Sequence, residues 1–158
     1  MRPHGRMQAQ ILEAANAIRP ALLEPLVDGD ALVDPAELSQ CTSTVAEFMA
    51  RRRGPAAAVY ITWDTQGRCR YVGSVRRPGA ASAARERLVE HLRHDERRAA
   101  WYGVTVLPLH CDLDAVVREC EGRVARRLSP LDGTAHPVPS ADQDLDEVIR
   151  ASVVTVTS

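Results

Sequence analysis

Glu121 lies in a helical run whose apolar positions are Leu113, Val116, Val117, Cys120, Val124 and Leu128, four residues after Val117 and three before Val124. That places it inside the apolar stripe, while Glu119 falls outside, among Arg118, Gly122 and Arg126. A carboxylate aimed inward needs a cation, a hydrogen-bond network or a metal, because an isolated buried charge is costly. A salt bridge to arginine is the plain solution, and a magnesium site the sharper one, since hard divalent cations favour carboxylate oxygen. Arg87 and His91, four apart on one helical face, are at the edge of the Ala84–Leu88–Leu92 row, and His94 continues that edge. A guanidinium and an imidazole there can grip a phosphate, although an ordinary exposed pair is commoner. Tyr60 and Tyr71 fall opposite each other and share a face if the turn between their strands is symmetric, with Asp64 across from Gly67 and Thr62 across from Cys69. Paired tyrosines across a hairpin are more often a packing device than a reactive pair.

Elements must position these side chains. Val59 to Trp63 and Cys69 to Gly73 read as two strands around the turn Asp64-Thr65-Gln66-Gly67, the strongest hairpin signal in the chain. Pro78-Gly79 breaks the run, and a helix is expected from about Ser82 to Ala100. Val104 to Leu109 suggests a third strand, with Pro108 favouring its end or an edge. Asp112 can cap the helix that carries Glu121. Upstream, Ile11, Leu12, Ala15, Ile18, Leu22 and Leu23 recur at helical spacing, with Pro20 dividing the segment. Asp34-Pro35-Ala36-Glu37 signals another helix start, with Leu38, Cys41, Val45, Phe48 and Met49 as its stripe up to Arg51. The first third therefore reads as a helical hairpin. After Pro130 the chain becomes loop-like, then offers a short acidic helix near 142–151 and a last strand at Val153 to Val156.

Composition bounds the answer. The chain has 158 residues, 45% hydrophobic and 26% charged, which excludes wholesale disorder and collagen-like repeats. No apolar run approaches the roughly 18 residues needed to cross a bilayer, and no signal-peptide apolar region opens the sequence. Four cysteines (Cys41, Cys69, Cys111 and Cys120) form no CxxC pair, so a reducing, cytoplasmic setting is expected. All 20 basic residues are arginine. The net charge of −1 conceals a division: −4 over residues 1–50, +7 over 51–127 and −4 over 128–158. A basic centre between acidic ends suggests that the centre meets a polyanion and the flanks cover it or dock a protein.

Taken together, Ala58-Val59-Tyr60, Tyr71-Val72-Gly73, Arg87, His91 and the run from Glu121 to Pro130 resemble the GIY-YIG nuclease superfamily, over about residues 56–133. The resemblance implies that Tyr60 and Tyr71 orient or deprotonate the attacking water. It implies that Arg87 holds the scissile phosphate, and that His91 contacts the nucleophile or phosphate. Glu121 would be the ligand of one divalent cation, Mg2+ or Mn2+. Arg85, Arg76, Arg77 and His94 are the accompanying substrate-binding candidates. Three features depart from the family pattern. Ala58 stands where glycine is usual, and the link through Pro78–Ala84 is long enough to make Arg85 a rival to Arg87. The asparagine usual shortly after the terminal proline is missing, with Asp132 and Gly133 near that point.

The expected architecture is a mixed α/β fold: a small, mainly antiparallel three-stranded sheet flanked by helices. Residues 1–54 form a helical extension, 55–133 the nuclease-like domain and 134–158 an acidic tail. The expected activity is metal-dependent hydrolysis of phosphodiester bonds in DNA, or less readily RNA, with no membrane partner. The competing reading is a GIY-YIG-like module without turnover that binds nucleic acid or protein. Zinc ligation by His91, His94, His110 and Cys111 is disfavoured by the adjacency of the last two. Cys69, inside a strand, and Cys120, on a core row, do not recommend themselves as nucleophiles.

Overall fold

A computed structural model describes residues 1–18, 35–51, 54–77, 79, 82–110, 113–133, 135–138 and 147. The expected helix near 142–151, the strand at Val153 to Val156 and the caps at Asp34 and Asp112 lie outside them, except that Glu147 is helical. In chain order the elements are α1 (Gly5–Ala17), α2 (Pro35–Gln40), β1 (Thr42–Thr44), α3 (Val45–Ala50), β2 (Ala57–Trp63), β3 (Cys69–Arg76), α4 (Ala83–Leu92), α5 (Asp95–Ala100), β4 (Gly103–Pro108) and α6 (Asp114–Leu128).

The sheet has four strands, not three, in the order β1-β4-β2-β3, and every pairing is antiparallel. The additional strand lies in what read as one continuous helix from residue 35 to 51. Thr42-Ser43-Thr44 interrupts it, because short polar side chains that bond their own backbone favour turns and caps over helix interiors. Thr44 then caps α3: its hydroxyl accepts from the Glu47 amide, and the Glu47 carboxylate accepts from the Thr44 amide. Thr42 and Thr105 share a buried hydroxyl–hydroxyl bond of 2.7 Å across β1 and β4, and the Trp63 indole N–H donates to Thr105. The N-terminal segment thus completes the sheet.

Residues of β2 alternate between two cores, which is why the whole strand is buried. Val59, Ile61 and Trp63 face α1 and α6, with Met7, Ile11, Val117, Cys120 and Val124. Ala58 and Tyr60 face α3, α4 and Trp101, with Phe48, Leu88, Val104 and Val106. The sheet is therefore sandwiched between helical layers. Cys41, Cys69 and Cys120 form no disulfide among the described residues, and no helix among those residues is long and apolar enough to cross a membrane.

Two expectations about local geometry change. The helix expected over 82–100 divides at Arg93-His94, where His94 turns extended and becomes the N-cap of α5. The hairpin is not symmetric. Asp64 donates its amide to the Arg68 carbonyl, Gly67 takes a φ of +71°, and a bulge follows between Thr62 and Trp63, so Tyr60 lies opposite Gly73 and Thr62 opposite Tyr71. Each offset is one residue. Together they make two, and the tyrosines stay on one face, diagonal instead of opposed.

Because α1 closes the core behind α6, it is structural. Ile11→Ala, at a position 1% exposed, should lower unfolding free energy by about 2–5 kcal/mol. Urea unfolding followed by tryptophan fluorescence should show one transition shifted as a whole; a separate early transition would mean that α1 folds independently.

Candidate active site

The candidate site straddles the sheet edge at β3. Tyr60 and Tyr71 project from one face, whereas Ser74, one residue past Gly73, points to the other and meets α6. Both faces open into a cleft of about 570 Å³ lined by Tyr60, Tyr71, Arg76, Arg77, Arg87 and Glu121 together with Ser74, Asp114, Arg118 and His136. Six of the nine sequence-predicted residues therefore line one cavity.

Gly73 makes the first half possible. A Cβ there would lie 2.3 Å from the Tyr60 hydroxyl oxygen, so the phenol occupies the space a side chain would need. The second half depends on α6, where Asp114, Val117, Arg118 and Glu121 follow helical spacing along the cleft wall. The Glu121 carboxylate accepts a 2.5 Å hydrogen bond from the Ser74 hydroxyl at Oε2. Its side chain is 13% exposed, and Oε1 lies 3.7 Å from Nδ1 of His136. Glu119 also is buried, beside Arg123, although it was expected outside the stripe. With the sheet on one side and α1 on another, α6 has more than one covered flank.

Behind Tyr60 stands His91, which is buried and does not line the cleft. Its Nδ1 is 2.7 Å from the Arg97 guanidinium, and its Nε2 is 2.7 Å from the Tyr60 oxygen. A guanidinium only donates, so Nδ1 accepts, and the neutral ring's single proton sits on Nε2 and is donated to Tyr60. Burial first, then Arg87 and Arg97, lower the His91 pKa to about 4, which keeps that tautomer at neutral pH. Only the break between α4 and α5 allows this bond, because six residues along an unbroken helix would turn Arg97 away from His91. His91 was expected to contact the nucleophile or phosphate; in the structure its ring bonds Tyr60 and Arg97 and lies behind the cleft lining.

Burial raises the Tyr60 pKa well above the ordinary phenol range, and nearby Tyr71 and Glu121 raise it further while Arg87 opposes them. Tyr71 shifts upward for the same leading reason, burial, then through Glu121. Both phenols are thus protonated donors at neutral pH. Tyr71 is wedged among aromatic neighbours: Trp101 stacks at 5.4 Å, His91 tilts at 4.9 Å, and the Arg97 guanidinium lies 5.6 Å above its ring.

The cations sort clearly. Arg87 donates to Glu90, which also accepts from Arg77, and Arg77 reaches Glu86. Those two arginines lower the Glu90 pKa to about 2 through their hydrogen bonds. Arg85 instead donates to the Met49 carbonyl on α3, outside the cleft lining, so between the two rivals it is Arg87 that stands at the tyrosines. His94 caps α5 and borders a separate depression with Asp95, Glu96 and Arg97.

Sequence reading missed Asp114, Arg118 and His136. The first two were legible as Glu121 minus seven and minus three on one helix. His136 carries no periodic signal, being in a loop; what places it is the strap after α6. Leu131 and Asp132 donate their amides to the Cys69 and Arg70 carbonyls, and the Asp132 carboxylate takes two bonds from Arg70 and one from the Trp101 indole. Gly133 then crosses the Tyr71 ring with φ +78°, where a Cβ would sit 2.8 Å from Cε2. An asparagine at this position would require the Tyr71 ring to move.

Among the described residues no three histidine, cysteine, aspartate or glutamate side chains gather as a metal cage. A divalent ion of the magnesium kind does not need one, since it is commonly held by one or two carboxylates, waters and substrate phosphate. Glu121, a carboxylate on the cleft wall whose Oε1 is outside the Ser74 hydrogen bond, fits that mode. Comparison with protein-family models, curated proteins and solved structures found no match for this chain.

Two measurements check the site. His91 should titrate by NMR near pH 4. Its folded pKa is below the ordinary imidazole value of about 6.5, so on acidification the unfolded chain takes the proton first; the neutral imidazole's contribution is complete above about pH 6.5 and declines towards pH 4, by roughly 2–3 kcal/mol. His91→Gln should lack that part of the pH dependence. Gly73→Ala should displace the Tyr60 hydroxyl and cost about 1–3 kcal/mol, read by chemical denaturation; an unchanged midpoint would show that the close approach is unimportant.

Proposed function

We propose that this protein is a metal-dependent endonuclease that hydrolyses phosphodiester bonds in DNA, or less readily RNA, through a GIY-YIG-type site. The observation that supports this most is convergence: two phenols, a guanidinium and an inward carboxylate, scattered from residue 60 to 121, line one open cleft. Among the described residues Glu121 is not locked to an arginine, as a purely structural acid would be; it accepts from Ser74 and faces His136. Most of the cleft lining comes from the segment of balance +7, and Arg76, Arg77 and Arg118 extend its basic wall.

The residues divide the work of phosphoryl transfer. Because His91 donates to the Tyr60 oxygen, the phenolic proton of Tyr60 is directed away from His91, ready for the attacking water or a phosphate oxygen. Tyr60 in this state orients; it does not abstract a proton. Arg87 keeps one N–H on Glu90 and has other donors with which to bind the scissile phosphate and the charge that develops on it. A divalent cation at Glu121 would polarise the phosphoryl oxygen and steady the leaving group. Tyr71 closes the side of the cleft beneath the strap.

The purified chain, incubated with supercoiled plasmid and single-stranded DNA, should cut in Mg2+ or Mn2+ and stop in EDTA. Glu121→Gln should abolish cutting, and Arg87→Ala should slow it by about 10²–10³-fold with the fold intact by circular dichroism. Cutting that ignores EDTA or survives loss of Glu121 would defeat this mechanism. Binding without cutting of any substrate would identify a nucleic-acid-binding module.

A further inference from the structure

His136 is the one described residue with two buried side-chain nitrogens and no hydrogen-bond partner for either. Its side chain is 13% exposed, equal to that of Glu121, and it lines the same cleft. An imidazole without partners in such a place is unfavourable unless something else binds it. At 3.7 Å, Nδ1 and Glu121 Oε1 are too far apart for a hydrogen bond. Two ligands of one ion with bonds of roughly 2.0–2.2 Å stand about 3.0–3.6 Å apart, so the pair needs to close by only a few tenths of an ångström to share an ion. The strap holds the residue there: Asp132 anchors it to Arg70 and Trp101, Gly133 carries it over Tyr71, and the His136 ring comes to rest 5.6 Å from the Tyr71 ring. Ser74 meanwhile occupies Oε2 of Glu121, leaving Oε1 as the oxygen turned towards the imidazole.

We infer that His136 and Glu121 form a mixed imidazole–carboxylate site for a divalent transition-metal ion, with His136 as its nitrogen ligand. The catalytic purpose of the ion rests on the nuclease reading above; the binding itself does not. Replacing a second oxygen ligand with imidazole moves selectivity away from Mg2+ and towards Mn2+ and later divalent ions.

Mn2+ titrated into the full chain tests this directly. Loss of the aqueous Mn2+ EPR signal counts bound ions, and pulsed EPR detects nitrogen in the first shell. One ion per chain is expected, with an imidazole 14N coupling that changes on uniform 15N-histidine labelling and resists displacement by equimolar Mg2+. His136→Ala should remove the coupling and weaken binding by about tenfold or more, and Glu121→Gln should abolish binding. The labelling experiment uses the unmutated chain, so it stands even if a variant misfolds. Bound Mn2+ without nitrogen coupling, a coupling that survives in His136→Ala, or no Mn2+ binding at millimolar concentration would each overturn the inference. If it fails while Glu121-dependent, EDTA-sensitive cutting persists, the nuclease reading stands alone. If nitrogen-coupled Mn2+ is found and no substrate is cut, the metal site stands and the nuclease reading fails.

Discussion

Two faces of one sheet must be joined for this cleft to exist, and the junction is the dipeptide Gly73-Ser74 on the edge strand β3. Successive residues of a strand point to opposite sides, so the phenols and the α6 carboxylate start on different faces of a closed layer. An edge strand allows them to meet around its rim. Gly73 has no side chain and admits the Tyr60 hydroxyl; Ser74 points the other way and bonds Glu121. A bulky residue at the first position would push the phenol aside. One lacking a hydroxyl at the second would leave the carboxylate without its donor.

Around that junction each group is held by something that is not itself in the cleft. Arg97 sets the tautomer of His91, and His91 sets the hydrogen-bond direction of Tyr60. Asp132 ties the strap to Arg70, the extra residue of the bulge, and to Trp101, which stacks on Tyr71. The bulge therefore does two jobs: it restores the tyrosines to one face, and it turns an arginine outward as the strap's anchor. Such supporting contacts determine geometry more strongly than they determine stability.

Much of this was readable from residue patterns, and what was not has physical causes. The hairpin and the helix carrying Glu121 follow from period-2 and period-3.6 spacing, which burial enforces; the shared face of the tyrosines survives only because a bulge offsets the longer turn. The fourth strand was hidden because Leu38, Cys41, Val45 and Phe48 kept helical spacing across Thr42–Thr44; three residues are too few to show a period, although Thr44 and Glu47 carried a capping-box signature. The exact opposition of Tyr60 and Tyr71 depended on turn geometry that spacing does not encode. The role of His91 required knowing that the chain breaks at His94. His136 depended on a loop path, where nothing is periodic.

The wall of the cleft has one further consequence. Its cations are all guanidinium groups, in a chain whose 20 basic residues are all arginine. Guanidinium does not shed its proton at any pH a folded protein tolerates. The positive charge of these side chains is thus constant from mild acid to strong alkali, screened by ionic strength but not set by protons. Proton exchange is left to the small set of imidazole, phenol and carboxylate groups in the cleft, so the charge of the wall and the protonation of those groups answer to separate variables.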